Sequence, residues 1–121
     1  MGLDVSFYPP HSFQAILYMR NHWWLFDKIH AHGADIFFLD HEVSDFLVDE
    51  SLLDQLEEDL EEVWPGPAAH LTFAETELAW LLSEDEETIP DEIVKPLYAQ
   101  VLGTLRAAVD EHGYLVCSWS A

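Results

Sequence analysis

Residues 3–8, Leu-Asp-Val-Ser-Phe-Tyr, alternate apolar and polar side chains and stop at Pro9-Pro10. This period of two, with β-branched and aromatic residues, predicts a strand that buries one face. Residues 114–119, Tyr-Leu-Val-Cys-Ser-Trp, form a second segment of β type at the other end of the chain. We expect the two segments to pair in a small antiparallel sheet packed with helices, which predicts the α+β class.

About four helices are expected between these segments. The first spans about Phe13 to Ala31, with Ser12 as its N-cap and Gly33 just beyond its end. Apolar side chains cover well over one face of this segment, so we expect it at the centre of the core or shared with a second copy in a homodimer. The apolar run 36–39 that follows predicts a short buried strand.

The second and third helices each follow a pattern that resembles a capping box. Ser51 with Asp54 predicts a helix over about 52–64. Thr72 with Glu75 predicts another that ends near Ser83. The apolar positions expected to face the core are Leu53, Leu56, Leu60 and Val63 in the second helix and Ala74, Leu78, Leu81 and Leu82 in the third.

The fourth helix ends at His112, before Gly113. It begins at Pro90 or at Pro96, and the sequence leaves these two alternatives open because proline suits the first turn of a helix. Its core-facing stripe is predicted to be Leu97, Val101, Leu105, Ala108 and Val109. A length of 121 residues predicts a single domain over residues 1–121.

Acidic residues are concentrated in one stretch of the chain. There are 24 Asp and Glu against 4 Lys and Arg, a formal net charge of −20. Between Asp40 and Val94 there are 19 carboxylates and no Lys or Arg. Carboxylates three or four positions apart on a helix lie about 5–6 Å apart, inside the ~8 Å Debye length at physiological salt, so their fields add.

Composition also excludes several classes of protein. Half of the residues are apolar and 13% are aromatic, too many for a disordered acidic tail. Direct nucleic-acid binding is not expected, because it depends on Lys and Arg that neutralise phosphates. Neither a membrane span nor a signal peptide is expected, and the single cysteine, Cys117, agrees with a reducing cytoplasm.

Three stretches resemble a set of small uncharacterised phage and bacterial proteins. They are Met1-Gly2-Leu3-Asp4, residues 18–26 (Tyr-Met-Arg-Asn-His-Trp-Trp-Leu-Phe) and the closing residues 114–119. Those proteins typically open MGLD, carry a Tyr-Trp-Arg-Lys helix followed by His and Trp-Phe, and close with an aromatic residue, serines and a tryptophan. This chain has Met19 and Asn21 where the basic and aromatic residues usually stand. The resemblance implies an α+β fold and a phage-related or mobile-element origin, and it brings no activity and no functional residue.

A group of histidines supports an alternative function. His30 and His32, followed by His41 with neighbouring carboxylates, bring nitrogen and oxygen ligands close together in sequence, as a zinc site requires. The spacing matches no zinc motif, and histidines at a helix C-terminus also complement the helix dipole. We expect no metal and no cofactor, with a small metal-binding enzyme that uses these three histidines as the alternative.

Other catalytic arrangements have little support. Asp45 is flanked by apolar residues, as a catalytic acid is, but aspartate is equally typical of caps and turns. Cys117 lies in an apolar segment, where a thiol packs as a small hydrophobic group. We therefore expect a protein that is not an enzyme and has no catalytic residues.

The acidic second helix carries the leading hypothesis. Carboxylates at helical spacing approximate the ~7 Å phosphate repeat of a nucleic-acid strand. We expect a non-enzymatic inhibitor of a basic partner, either a nucleic-acid-binding factor (a nucleic-acid mimic of anti-defence type) or a toxin (an immunity protein). An acidic domain without any charge-directed partner is the other alternative. The predicted contacts are Glu50, Asp54, Glu57, Glu58, Glu61 and Glu62, the loop residues Glu84, Asp85, Glu86 and Glu87, and the aromatic anchors Trp64 and Trp80.

Overall fold

The computed structural model describes residues 2–36, 45–66 and 71–120. Within these ranges the strands are β1 (Asp4–Tyr8), β2 (Leu17–Arg20), β3 (Ala34–Ile36), β4 (Asp45–Val48) and β5 (Leu115–Ser120). The helices are α1 (Trp23–His32), α2 (Glu50–Val63), α3 (Glu75–Ser83) and α4 (Asp91–His112), and a short 3-10 turn spans Glu86–Thr88. The protein therefore has the predicted α+β fold.

The two terminal segments pair as predicted. β1 and β5 are antiparallel, with Asp4 opposite Ser120 and Tyr8 opposite Val116. The described strands form one antiparallel sheet in the order β2-β1-β5-β4-β3, so the terminal pair lies inside the sheet and not at its edge. The first and last strands of the chain thus hold the rest of the sheet together.

Side chains alternate between the two faces of the sheet, as a period of two requires. Val5 and Phe7 of β1 are buried together with Leu115 and Cys117 of β5, in the same core cluster as the helices. The other side of the sheet, which we call the outer face, carries half-buried side chains such as Tyr8. Burial raises the pKa of the Cys117 thiol to about 12, so the thiol stays protonated in the core.

The predicted first helix over Phe13–Ala31 is wrong in its N-terminal half. Residues 17–20 form β2, which pairs with β1 so that Met19 lies opposite Val5. Ser12 is not an N-cap, because its hydroxyl accepts from the Gln14 N–H in the turn between the two strands, at 3.2 Å. The many apolar residues of this segment belong to a strand of period two followed by a short helix of period 3.6.

Asn21 separates β2 from α1. Its φ of 61° lies in the left-handed region, which neither a strand nor a helix continues. Its N–H donates to the Leu3 carbonyl at 2.8 Å, and its side-chain oxygen accepts from the Leu3 N–H at 2.9 Å. These two hydrogen bonds fix the bend, and α1 begins two residues later at Trp23.

The predicted capping box of α2 is also wrong. Asp49 is the N-cap, and its carboxylate accepts from the Leu52 N–H at 2.9 Å. The helix begins at Glu50, which places Ser51 inside its first turn. Asp and Ser are both good N-caps, so two candidates only two positions apart made the start ambiguous.

α3 begins at Glu75 after Ala74 and has no side-chain cap, so Thr72 does not cap it. The backbone just before the helix is instead held by Gln100 of α4, which bonds the N–H and the carbonyl of Phe73 at 2.8 and 2.9 Å. This contact joins residues 27 positions apart in sequence, and a local capping pattern cannot reveal it.

α4 settles the choice between the two prolines. It begins at Asp91, directly after Pro90, and Pro96 lies inside the helix. The predicted core stripe is buried, and Gly113 ends the helix with a φ of 89°, as predicted. Two other positions predicted to face the core, Val63 and Ala74, are exposed, since each lies at or beside a helix end.

The strand predicted at Ile36–Leu39 is only partly described. β3 ends at Ile36 and pairs with β4, whereas residues 37–39 lie outside the described residues. Among the helices in the described ranges, none is long and apolar enough to cross a membrane.

Candidate functional site

The acidic residues of α2 divide into two edges. Its apolar side packs in the core through leucines, with Leu53 and Leu56 fully buried. Positions four apart lie on the same side of a helix, so Glu57 and Glu61 form one edge and Glu58 and Glu62 the other. We call the first the α4-facing edge and the second the outer edge. Asp54 is three positions before Glu57 and four before Glu58, and we count it with the α4-facing edge because it shares Arg106 with Glu57.

The α4-facing edge is partly neutralised by two basic residues of α4. The Arg106 guanidinium lies 2.9 Å from the carboxylates of both Asp54 and Glu57. The Lys95 ammonium lies 2.7 Å from the Glu61 carboxylate. This hydrogen bond, followed by one from the Gly66 N–H, holds the pKa of Glu61 below its usual range. Three of the predicted partner contacts therefore have partners within the protein.

The sequence could not reveal these ion pairs. Arg106 is 52 positions from Asp54, and Lys95 is 34 positions from Glu61. Both basic residues lie outside the acidic stretch in sequence, but the packing of α4 against α2 brings them onto its surface. Counting charge along the chain therefore overstates the unpaired charge on this helix.

The outer edge keeps its charge. Glu58 and Glu62 are exposed, as is Glu50 in the first turn of the helix. For these three carboxylates the described part of the chain offers no ion pair. Four residues of α-helix rise about 6 Å, so Glu58 and Glu62 lie within one Debye length of each other and act together on an approaching charge.

Trp64 contacts the aromatic ring of Trp24, and the acidic loop contacts the backbone N–H of the same residue. The ring centroids of Trp24 and Trp64 are 5.0 Å apart, and those of Trp24 and Tyr98 are 5.7 Å apart in a stacked arrangement. The Trp24 N–H donates to the Glu86 carboxylate at 3.1 Å. Trp64 is thus half-buried against the core, and Glu86 faces inward at the start of α1.

Glu86 belongs to a buried polar cluster with His22 and Tyr98. The His22 ring is 1% exposed, with Nε2 3.2 Å from the Leu81 carbonyl and Nδ1 2.8 Å from the Tyr98 hydroxyl. The same hydroxyl lies 3.3 Å from the Glu86 carboxylate. Because a carbonyl only accepts, the neutral ring carries its proton on Nε2 toward Leu81 and presents Nδ1 as an acceptor. The single proton of the Tyr98 hydroxyl is then donated either to Nδ1 or to the Glu86 carboxylate.

Burial sets the protonation of this cluster. It lowers the pKa of His22, although nearby carbonyls and the Asp85 carboxylate partly oppose the shift. Burial, followed by the negative charge of Glu86, raises the pKa of the Tyr98 hydroxyl, which therefore stays protonated. His22 and Glu86 are 64 positions apart, and a sequence pattern gives no indication that they meet.

The other predicted contacts lie at the surface. Trp80 on α3 is 62% exposed, which leaves its indole ring available to a partner. Asp85 and Glu87 are exposed, and Glu84 is half-buried. The Asp85 carboxylate accepts from the Glu87 N–H at 3.1 Å and shapes the 3-10 turn.

The histidines of the metal-binding alternative have other contacts. The His30 ring packs near Phe26 and Phe46, with centroids 6.0 and 5.3 Å away. Nε2 of His32 lies 3.0 Å from the carboxylate of Asp59, which is 7% exposed. His41 lies outside the described residues, and within the described ranges no group of three or more potential metal ligands is found. Both described histidines lie in the last turn of α1, where they complement the helix dipole.

Comparisons of the chain with protein-family models, with curated proteins and with solved structures find no match. The function must therefore be argued from the surface chemistry of this chain alone.

Proposed function

We propose that this protein is a non-enzymatic inhibitor that binds a basic partner through the outer edge of α2. The partner is a nucleic-acid-binding protein, whose groove the carboxylates occupy in place of phosphates, or a basic toxin, whose surface they cover. One observation carries the proposal. Glu58 and Glu62 are exposed and unpaired within the described residues, although two basic side chains of α4 form ion pairs with other carboxylates of α2.

The pairing of one edge and not the other supports a directed surface. Arg106 and Lys95 offset most of the negative charge of the α4-facing edge. The negative field of α2 is therefore strongest at its outer edge. Such a field steers a basic protein toward one orientation and raises its association rate, with a strong dependence on salt. Trp80 adds an exposed aromatic group of the kind that anchors interfaces.

The ~6 Å rise from Glu58 to Glu62 also suits a groove built for phosphates. It is close to the ~7 Å spacing of successive phosphates along a strand. A nucleic-acid-binding protein places Lys and Arg at that spacing, and two fixed carboxylates meet them without the flexibility of a disordered acidic tail. Rigid presentation lowers the entropy lost on binding.

The proposal is tested with two charge-reversed baits of equal net charge. One carries Glu58→Lys and Glu62→Lys on the outer edge, and the other carries Asp110→Lys and Glu111→Lys at the exposed end of α4. Proteins retained from a bacterial lysate are quantified for both baits and for the wild type, at low and at high salt.

We expect the wild type and the α4 variant to retain the same basic proteins at low salt and to release them at high salt. The outer-edge variant should lose at least about 90% of that retention, a tenfold loss of affinity. Equal retention by the two variants would contradict a site on α2. Retention of no basic protein by the wild type would favour an acidic domain without a charge-directed partner.

A further inference from the structure

A second surface feature lies on the outer face of the sheet, away from α2. The loop between β1 and β2 and the outer face enclose an open cleft of about 520 Å³. Tyr8 lies in this cleft, next to Val116 across the β1–β5 pair. Its volume falls within the range of about 300–1,000 Å³ that is typical of ligand sites.

Phe13 gives the cleft an exposed aromatic wall. Its side chain is fully exposed, which is rare for a large apolar residue. The loop around it is ordered by backbone hydrogen bonds, from the Ser12 N–H to the Pro9 carbonyl at 3.2 Å and from the Ile16 N–H to the Phe7 carbonyl at 2.8 Å. The loop thus presents the ring of Phe13 beside the cleft and does not bury it in the core.

Asp45 gives the cleft its charge. It begins β4 and precedes Phe46, which lies opposite Cys117, so the register places Asp45 next to Ser118 in the cleft. Among the described residues that line the cleft there is no Lys or Arg, and Asp45 is the one carboxylate. The described lining therefore combines one carboxylate with two aromatic rings, in a protein of net charge −20.

We propose that this cleft binds a lysine or arginine side chain of the basic partner, with its cationic group between the Asp45 carboxylate and the rings of Tyr8 and Phe13. Aromatic faces attract cations, and a carboxylate beside them adds a charge-assisted hydrogen bond. The apolar stem of the side chain lies along Val116 and the ring of Phe13, which removes apolar surface from water. The proposal rests on the proposed function for the basic nature of the partner, but it places this contact on the sheet and not on α2.

The test uses a deca-arginine peptide as the probe, with a deca-citrulline peptide as its neutral counterpart. Binding is measured by calorimetry at physiological salt for the wild type and for Asp45→Asn, Phe13→Leu and Phe13→Tyr. Asp110→Asn, an exposed carboxylate at the end of α4, is the matched charge control. The backbone amide signals of Val116 and Ser118 in NMR spectra report whether the peptide enters the cleft.

We expect Asp45→Asn and Phe13→Leu each to weaken deca-arginine binding by about three- to tenfold, whereas Phe13→Tyr and Asp110→Asn bind like the wild type. The amide signals of Val116 and Ser118 should shift with deca-arginine and stay in place with deca-citrulline. Phe13 is fully exposed and Asn has the shape of Asp, so the unfolding temperature of these variants should equal that of the wild type.

Wild-type affinity in both Asp45→Asn and Phe13→Leu would overturn the cleft proposal. If the variant with Glu58→Lys and Glu62→Lys then binds more weakly than the variant with Asp110→Lys and Glu111→Lys, the proposed function of α2 stands without the cleft. If the cleft variants weaken binding and the α2 variant does not, the cleft stands and the partner surface lies on the sheet.

Discussion

Glu86 and Glu58 come from the same acidic stretch, but Glu86 is hydrogen-bonded within the fold and Glu58 faces solvent. Glu86 accepts a hydrogen bond from the N–H of Trp24 at the start of α1 and lies next to the hydroxyl of buried Tyr98. Glu58 is exposed on the outer edge of α2, where the described residues offer it no ion pair. One glutamate holds secondary-structure elements together, and the other contributes only charge.

The difference follows from burial. A carboxylate that accepts hydrogen bonds from buried donors takes the place of water as their partner. Its removal therefore leaves those donors unsatisfied. A carboxylate in water already has partners, and crowding it with like charges slightly disfavours the folded state. Mutations in the buried cluster should therefore lower the free energy of unfolding, whereas mutations of the exposed outer edge should change it little and raise it slightly.

The largest effect is expected at His22. His22→Ala removes a buried ring together with its hydrogen bonds to the Leu81 carbonyl and the Tyr98 hydroxyl. We expect the free energy of unfolding to fall by about 3 kcal/mol, measured by urea denaturation. His112→Ala, which truncates an exposed histidine at the end of α4, is the control and should leave stability nearly unchanged. An equal loss in both variants would show that the buried cluster does not stabilise the fold.

Glu86→Gln should have the next largest effect. The neutral amide keeps one acceptor for the Trp24 N–H but loses the negative charge at the N-terminus of α1. We expect a loss of about 1 kcal/mol in the free energy of unfolding. Glu87→Gln, one position away and exposed, is the matched control. If both variants unfold at the same denaturant concentration, Glu86 is as dispensable as Glu58.

Acid should destabilise the cluster through His22. Burial lowers the pKa of His22 in the folded protein, so the unfolded chain binds more protons below about pH 6.5. The free energy of unfolding should therefore fall as the pH falls from about 6.5 toward the lower pKa of the folded state. The loss should be smaller than that of His22→Ala, since the ring stays in place.

This decline is checked by urea denaturation between about pH 7 and pH 5 in the wild type and in His22→Gln. The variant, which has no imidazole at this position, should show a shallower decline. Parallel curves in the two proteins would assign the pH dependence to other groups.

The smallest effect on stability is expected at the outer edge. Glu58→Gln and Glu62→Gln together should change the free energy of unfolding by less than about 0.5 kcal/mol, and toward greater stability, because they remove repulsion between exposed carboxylates. The variant should also gain less stability from added salt than the wild type. A clear loss of stability would mean that these carboxylates have a structural partner.

The sequence predicted what depends on local periodicity. The terminal strands and the core stripe of α4 follow from alternation and helical spacing, and both are confirmed. The first predicted helix failed where two periods adjoin. Leu17 and Met19 share one face of a strand but not of a helix, and the many apolar residues around them obscured this alternation, which the pairing with β1 reveals.

The candidate site depends on contacts between distant parts of the chain, and most of it could not be predicted. Arg106 and Lys95 come from α4 to pair with α2, and the Tyr98 hydroxyl of α4 brings His22 and Glu86 into one cluster. The sequence identified the acidic helix but could not separate its α4-facing edge from its outer edge. That separation needs the position of α4.

The central claim is that the position of the acidic charge, and not its amount, directs binding. The direct test is the association rate of a basic protein retained by the wild type, measured by stopped flow as a function of salt for the two charge-reversed variants. We predict that Glu58→Lys with Glu62→Lys slows association at least about tenfold and flattens its salt dependence, whereas Asp110→Lys with Glu111→Lys stays close to the wild type. Equal slowing in both variants would contradict the claim, since net charge alone would then account for binding.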